Sequence, residues 1–519
     1  MEILTLKEEL LSLSKEDNSL QPIKISDSVE LQIYPRSVRE QYGIIFFIAK
    51  NSDVKNLYLF NEEINHDISD KIEGEFISTE RKNDFYFKKC LMNTNNRKVI
   101  QSIFEFTNPQ VIGLEDSFGF GDRLGLANPA HIRSLGSSKF KPVLAQQSIR
   151  ELTRSNRTPA DVMDAAVWAV FQEGYLDGFG ADADHLKTKE DIDLMVANGF
   201  RMFTFDPGDY VHNDADMLNE DELDDRIEKQ DWNGLNISFE GLSKIYLGRE
   251  VKISEDLILQ PAENNLKRAI IKYGDSLAYI KKMYDHLIQN YPDYETEVEI
   301  SIDETESVTS LFEHYFISNE LKRLGINFSS LAPRFIGEFE KGIDYKGDLN
   351  IFKEEYIKHV SIASHFGTYK LSLHSGSDKF NVYNVIGSLN LGVTHVKTAG
   401  TSYLEGLKVV ALKDPNLMRE ILDYSRNLYE EEKKTYHVSA DINKVRPAME
   451  YSDEDLVMLF NQDDWRQILH VTYGRILTDK NEKGKYIFKD NLLDCINTNE
   501  EIHYKLLINH FRKHLDNFN

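Results

Sequence analysis

The sequence predicts an α/β protein built on a TIM-type (β/α)8 barrel, with a β-rich N-terminal unit and a helical C-terminal extension. Three observations predict it. From Val111 onwards eight short apolar or mixed runs have the length and texture of buried strands. Helical patterns lie between most of these runs. Glycines stand at or near the starts of five of them, at Gly174, Gly199, Gly325, Gly367 and Gly392, four of them after strongly helical stretches. A glycine there takes the left-handed conformation that ends a helix, so the same turn from helix to strand recurs along the chain.

The eight runs are VIGLED (111–116), PVLAQQS (142–148), YLDGFGAD (175–182), RMFTFD (201–206), VEISID (298–303), INFSSLA (326–332), YKLSLHS (369–375) and VTHVKTAG (393–400). Repeated strand–helix units call for a parallel sheet, and eight strands suit a closed barrel. A doubly wound open sheet is the runner-up, weakened because no Gly-rich phosphate loop follows the first run. Two helix starts carry capping boxes, Thr158-Pro159 with Asp161 and Thr188 with Asp191, and a third, Ser452 with Asp455, opens a helix in the tail.

Residues 1–105 read differently. After an opening helix, VELQIY, GIIFFIAK, NLYLFN, GEFIST and DFYFKKC are rich in β-branched and aromatic residues and separated by Asn, Asp and Ser, which predicts a small antiparallel sheet. The barrel is expected over 106–405, interrupted by an acidic insertion at about 208–262, and residues 406–519 are expected to be a helical extension.

The 519 residues carry a formal charge of −25, which opposes any binding of nucleic acid through its phosphates. Cys90 and Cys495 offer neither a disulfide framework nor a metal-ligand spacing, so reduced thiols are expected. The N-terminus lacks the apolar core of a signal peptide, and no run of about 18 apolar residues exists to cross a membrane. A cytoplasmic protein with a small-molecule ligand is the expectation, with no nucleic-acid or membrane partner; a homo-oligomer is compatible with it.

In a barrel the reacting groups come from the carboxyl ends of the strands. There the sequence places Glu115 and Asp116; Gln146, Gln147 and Ser148; Asp182, Asp184 and His185; Asp206 and Asp209; Asp303 and Glu304; Arg334; His374; and His395, Lys397 and Thr398. Alternation along the strands turns Glu299, Ser301 and Asp303 inward, and likewise Lys370, Ser372 and His374. Such groups are costly inside a barrel unless they pair or bind something. His185, His374 and His395 beside carboxylates suit a divalent metal, whether zinc, nickel, manganese or iron, although spacing alone favours a hydrogen-bonded or substrate-binding role for each taken singly. Lys379, Lys397 and Arg334 are candidates to receive a substrate carboxylate, with Ser375 adding a hydroxyl.

Read in order, GLEDSFGFGDRLGLANPAH (113–131), FGADADHLKT (179–188), FTFDPGDYV (203–211), SIDET (301–305), LAPRFIGEFEKGIDYKGD (331–348), LSLHSGSDKF (371–380), HVKTAGTSYLE (395–405) and HVTYGRIL (470–477) resemble the tagaturonate epimerase family. The resemblance spans roughly residues 100–480. It implies a metal-dependent isomerase of hexuronate breakdown that interconverts tagaturonate and fructuronate; related members act on the neutral sugars tagatose and fructose. It further implies Asp184 as a base beside the ligand His185, Glu304 as an acid, and His374 and His395 as further ligands. The two sugars differ at the fourth carbon along the ketose, whose hydrogen is not acidic, so a retro-aldol path through the bond between the third and fourth carbons is expected. Transient oxidation by a nicotinamide is the alternative route, and a metal aldolase or a silent sugar-binding protein the alternative function. Whether His470 reaches the site is open in the sequence.

Overall fold

A computed structural model of the chain describes residues 3–13, 18–25, 29–61, 67–77 and 86–518. Eight parallel strands close into a barrel. In chain order they are β1 (Ser117–Phe120), β2 (Lys141–Ser148), β3 (Gly180–Leu186), β4 (Met202–Phe205), β5 (Glu297–Ile302), β6 (Ser330–Pro333), β7 (Lys370–Leu373) and β8 (Thr394–Thr398). The barrel closes through β8 against β1, with His395 opposite Ser117. Both faces of nearly every strand are buried, as a helix-wrapped parallel sheet requires. All five marker glycines have positive φ, and Gly174 caps the helix Pro159–Glu173 in the left-handed region. The three capping boxes form as read.

Three strands differ in position from the sequence reading. The first strand is SFGF, not VIGLED. In VIGLED the backbone N–H groups of Ile112 and Gly113 donate to the Glu297 carboxylate at 2.9 and 3.1 Å, so that run closes the amino end of the barrel. Asp116 belongs to the same end, where it accepts from the Thr394 N–H at 2.8 Å. Glu115 and Asp116 are therefore not mouth residues. β3 runs on to Leu186, which puts Asp182 in the barrel interior and Asp184 and His185 at its rim. β6 begins at Ser330, after a segment without regular secondary structure.

The described part of residues 1–105 holds a seven-stranded antiparallel sheet and helices that include Ile3–Ser12 and Thr94–Ile103. Segments 78–79 of GEFIST and 84–85 of DFYFKKC lie outside the described residues. Between β4 and β5 come short helices, a two-stranded hairpin and the long helix Glu263–Asn290. The tail is helical. Its helix Asp463–Thr478 reaches the mouth of the barrel, while Glu500–Asp516 lays Phe511 on Phe120 with ring centres 5.1 Å apart. No helix among the described residues is long and apolar enough to cross a membrane.

Candidate active site

Alternation along β3, β4, β5 and β8 points Asp182, Asp184, Thr204, Glu299 and Lys397 into the barrel. The Lys397 ammonium lies 2.7 Å from Asp182 Oδ2, 2.8 Å from Asp184 Oδ1 and 2.7 Å from Glu299 Oε1, and donates to Thr204 Oγ1 at 2.6 Å. Burial works against its charge, but the three carboxylates hold it protonated, well above the ordinary lysine value. Burial raises Asp182 to about 6. Asp184, despite burial, stays well below the carboxylate range because His185 and Lys397 sit beside it.

Above this hub, at the mouth, His185, His374 and Asp303 bring one ligand atom each to within 4.8 Å of one another. Each histidine is oriented by a carboxylate. His185 Nδ1 is 2.7 Å from Asp184 Oδ1, which leaves its Nε2 free; His374 Nε2 is 2.7 Å from Glu299 Oε1, which leaves its Nδ1. Burial opposes protonation of both rings. Asp184 nonetheless lifts His185 to about 9, and Asp303 lifts His374 to about 10. His374 Nδ1 lies 3.0 Å from Asp303 Oδ1, an ion pair when the ring is protonated and two adjacent donor atoms for a cation when it is not. His185 has φ 53°, a left-handed conformation that a non-glycine residue holds only under constraint from its surroundings. A carboxylate behind each imidazole, a third carboxylate beside them and one ammonium against four buried or half-buried acids make a donor set suited to a divalent cation.

His395 is not part of this set. β8 pairs His395 with Ser372, two residues before His374 on β7, so its ring lies deeper in the barrel. Its Nδ1 is 2.8 Å from Ser117 Oγ, its Nε2 has no hydrogen bond, and burial keeps it neutral with a value near 3. Register thus sets Asp303, and not His395, beside the two histidines. Two of the candidate carboxylate receptors are engaged elsewhere. Lys397 is spent on its three carboxylates. Lys379 is fully buried and donates to the carbonyls of Glu340, Ile343 and Ser377 at 2.8, 2.5 and 3.0 Å, binding backbone rather than facing the mouth.

A cavity of about 330 Å³ opens over the cluster. Asp184, Glu304, Arg334 and Ser375 line it, as does His470, which settles the question the sequence left open. Arg334 spends a guanidinium N–H on the Thr305 carbonyl. Ser375 accepts from Lys341 Nζ at 2.5 Å. Sequence reasoning passed over Lys341 and Arg150, which also line the cavity. The signals were present: Arg150 is the second residue past the end of β2, and Lys341 lies inside LAPRFIGEFEKGIDYKGD. Strand-end position puts Asp303 at the mouth without marking it as a candidate ligand.

A closed parallel barrel with ionisable groups gathered at its carboxyl-end mouth defines an α/β-barrel enzyme. The chain belongs to the tagaturonate epimerase family, whose model matches residues 34–518. A tagaturonate/fructuronate epimerase from Thermotoga maritima is 42% identical over 485 residues, covering 93% of this chain and 96% of that protein. Crystal structures of the fructuronate-tagaturonate epimerase of Cohnella laeviribosi, native and with one glycerol, share 37% identity with a TM-score of 0.87. They cover 94% of this chain and 96% of that one. Family membership makes the chain an epimerase, and so an isomerase.

Proposed function

We propose that the chain interconverts tagaturonate and fructuronate by inverting the fourth carbon along the ketose, through retro-aldol cleavage and re-addition. The observation that carries the mechanism is the His185–His374–Asp303 cluster, flanked by carboxylates on two different strands, Asp184 on β3 and Glu304 after β5. His185, His374 and Asp303 would hold a divalent metal, which when bound supplies a Lewis acid for the ketone end of the sugar.

Asp184 remains ionised because His185 and Lys397 contact its Oδ1, so it is available to accept a proton. In the proposed sequence one carboxylate takes the proton of the fourth hydroxyl. The bond between the third and fourth carbons then breaks, leaving an aldehyde on the fourth carbon and the electron pair on the three-carbon enediolate. The aldehyde turns its other face and the bond re-forms. The second carboxylate returns a proton to the new alkoxide. Glu304 is exposed at the rim and lines the cavity, so it can exchange protons with solvent between turnovers. Lys397 holds Asp182, Asp184 and Glu299 in place while charge moves.

The test is incubation of the metal-loaded protein with tagaturonate, followed by proton NMR, beside a chelated control. Metal-dependent appearance of fructuronate supports the proposal. Accumulation of free three-carbon fragments would make the chain an aldolase instead. Conversion of tagatose but not tagaturonate would make it a neutral-ketose epimerase.

A further inference from the structure

A uronate differs from a neutral ketose by one carboxylate, and a site selective for it needs uncommitted positive charge. Most cations at this mouth are already engaged. Lys397 is surrounded by carboxylates, and Arg334, which has no ion pair among the described residues, gives a guanidinium N–H to the Thr305 carbonyl. Arg123 pairs with Glu151 at 2.9 Å and stacks on Tyr473 with its guanidinium carbon 3.7 Å from the ring centre. Two cavity-lining cations differ. Lys341 contacts only a neutral hydroxyl, that of Ser375, and has no carboxylate within ion-pair distance among the described residues. Arg150 makes no hydrogen bond or ion pair among the described residues; its guanidinium carbon lies 5.4 Å from the Tyr436 ring centre.

Resting on the epimerase reading, we infer that Lys341 and Arg150 together receive the substrate carboxylate and set the preference for a uronate over a neutral ketose. Burial, and then the charge of Arg150, pull the Lys341 ammonium below its ordinary value, against a smaller opposing pull from Glu304, Asp303 and Glu151. The loop carrying Lys341 is fixed on both sides. Lys379 holds the carbonyls of Glu340 and Ile343, Arg466 Nε donates to the Gly342 carbonyl at 2.7 Å, and the Glu340 carboxylate accepts from Ser439 and Gln467 at 2.6 and 2.7 Å. The ammonium is therefore presented to the cavity by a clamped backbone, with the His185–His374–Asp303 cluster also on the cavity wall for the ketone end.

The experiment is calorimetric titration of the metal-loaded wild type, Lys341→Met, Lys341→Arg and Arg150→Met with tagaturonate and with tagatose, alongside turnover. Losing a charge-assisted hydrogen bond is expected to weaken tagaturonate binding by about tenfold to a hundredfold in each Met variant. Tagatose binding should stay within about twofold, a change too small to count as a lost interaction, and Lys341→Arg should recover part of the loss. Unchanged tagaturonate affinity in the Met variants, or equal loss for both sugars, overturns the inference. So does a wild type that does not bind tagaturonate. Wild type that binds tagaturonate without converting it defeats the epimerase proposal instead, and the carboxylate assignment is then judged on affinity alone. Arg150 is exposed, so Arg150→Met gives a reading even if Lys341→Met folds poorly.

Discussion

Glu299 Oε1 lies 2.7 Å from His374 Nε2 and at the same distance from Lys397 Nζ. One buried carboxylate oxygen therefore fixes the tautomer of a proposed metal ligand and belongs to the ion hub beneath it. Replacing it by an amide removes the charge but keeps the shape. Glu299→Gln should weaken metal binding by about tenfold to a hundredfold, the usual cost of losing an orienting carboxylate. Competition with a fluorescent zinc indicator measures this directly. Metal affinity equal to wild type would remove Glu299 from any role in orienting the site.

Lys397 balances three buried carboxylates at the floor of the cavity. Deleting its charge leaves them to repel one another, and breaking a buried ion pair by removing one partner costs about 3–5 kcal/mol. Lys397→Met should therefore lower the thermal midpoint clearly and abolish turnover, whereas a surface change such as Lys229→Met should do neither. Differential scanning calorimetry on both variants checks it. A Lys397→Met protein as stable as wild type would show that the carboxylates take up protons at little cost.

Glu500 joins the tail to the N-terminal sheet. It accepts from Tyr34 OH and Tyr504 OH, each at 2.6 Å, and pairs with Lys50 at 2.6 Å and with Lys55. Burial raises its carboxyl, but Lys55 and Lys50 outweigh that and hold it at about 2. A folded value depressed below the unfolded one means stability that is complete above the unfolded value, about 4.3, and lost as pH falls toward 2; the shift corresponds to about 3 kcal/mol. Acid unfolding of wild type should thus steepen between those limits. Glu500→Gln should be less stable at pH 7 and differ little from wild type at pH 2. Urea midpoints across that range give the answer, and a constant difference between the two proteins would refute it.

The barrel was legible because its signals are local: glycines that end helices, capping boxes such as Thr158 with Asp161, and apolar runs of strand length. Mouth residues followed from strand ends alone, which is why Asp184, His185, Glu304 and His374 were found. What stayed hidden depended on register and partners. His395 and His374 look equivalent in sequence, yet the pairing of β7 with β8 sets them at different depths. Lys379, Lys397 and Lys341 look equally free, and only the fold shows that three carbonyls occupy the first, three carboxylates the second and a single hydroxyl the third. VIGLED misled because a short run that turns at Gly113 and closes the barrel has the same composition as a strand within it.

The depth difference between the histidines yields the sharpest test of the metal assignment. Asp303 Oδ1 sits 3.0 Å from His374 Nδ1 at the mouth, whereas the His395 ring is held against Ser117 inside the barrel. If His185, His374 and Asp303 are the ligands, Asp303→Asn should lose most of its bound metal, because an amide oxygen carries no charge to offset a divalent ion. His395→Asn should keep about one ion per chain, as its ring contributes no ligand atom, though repacking around a buried neutral imidazole should cost it about 1–3 kcal/mol of stability. Elemental analysis after exhaustive dialysis against trace metal, read beside the thermal midpoint, separates the two. Metal retained by Asp303→Asn and lost by His395→Asn would reverse the assignment and restore His395 to the ligand set.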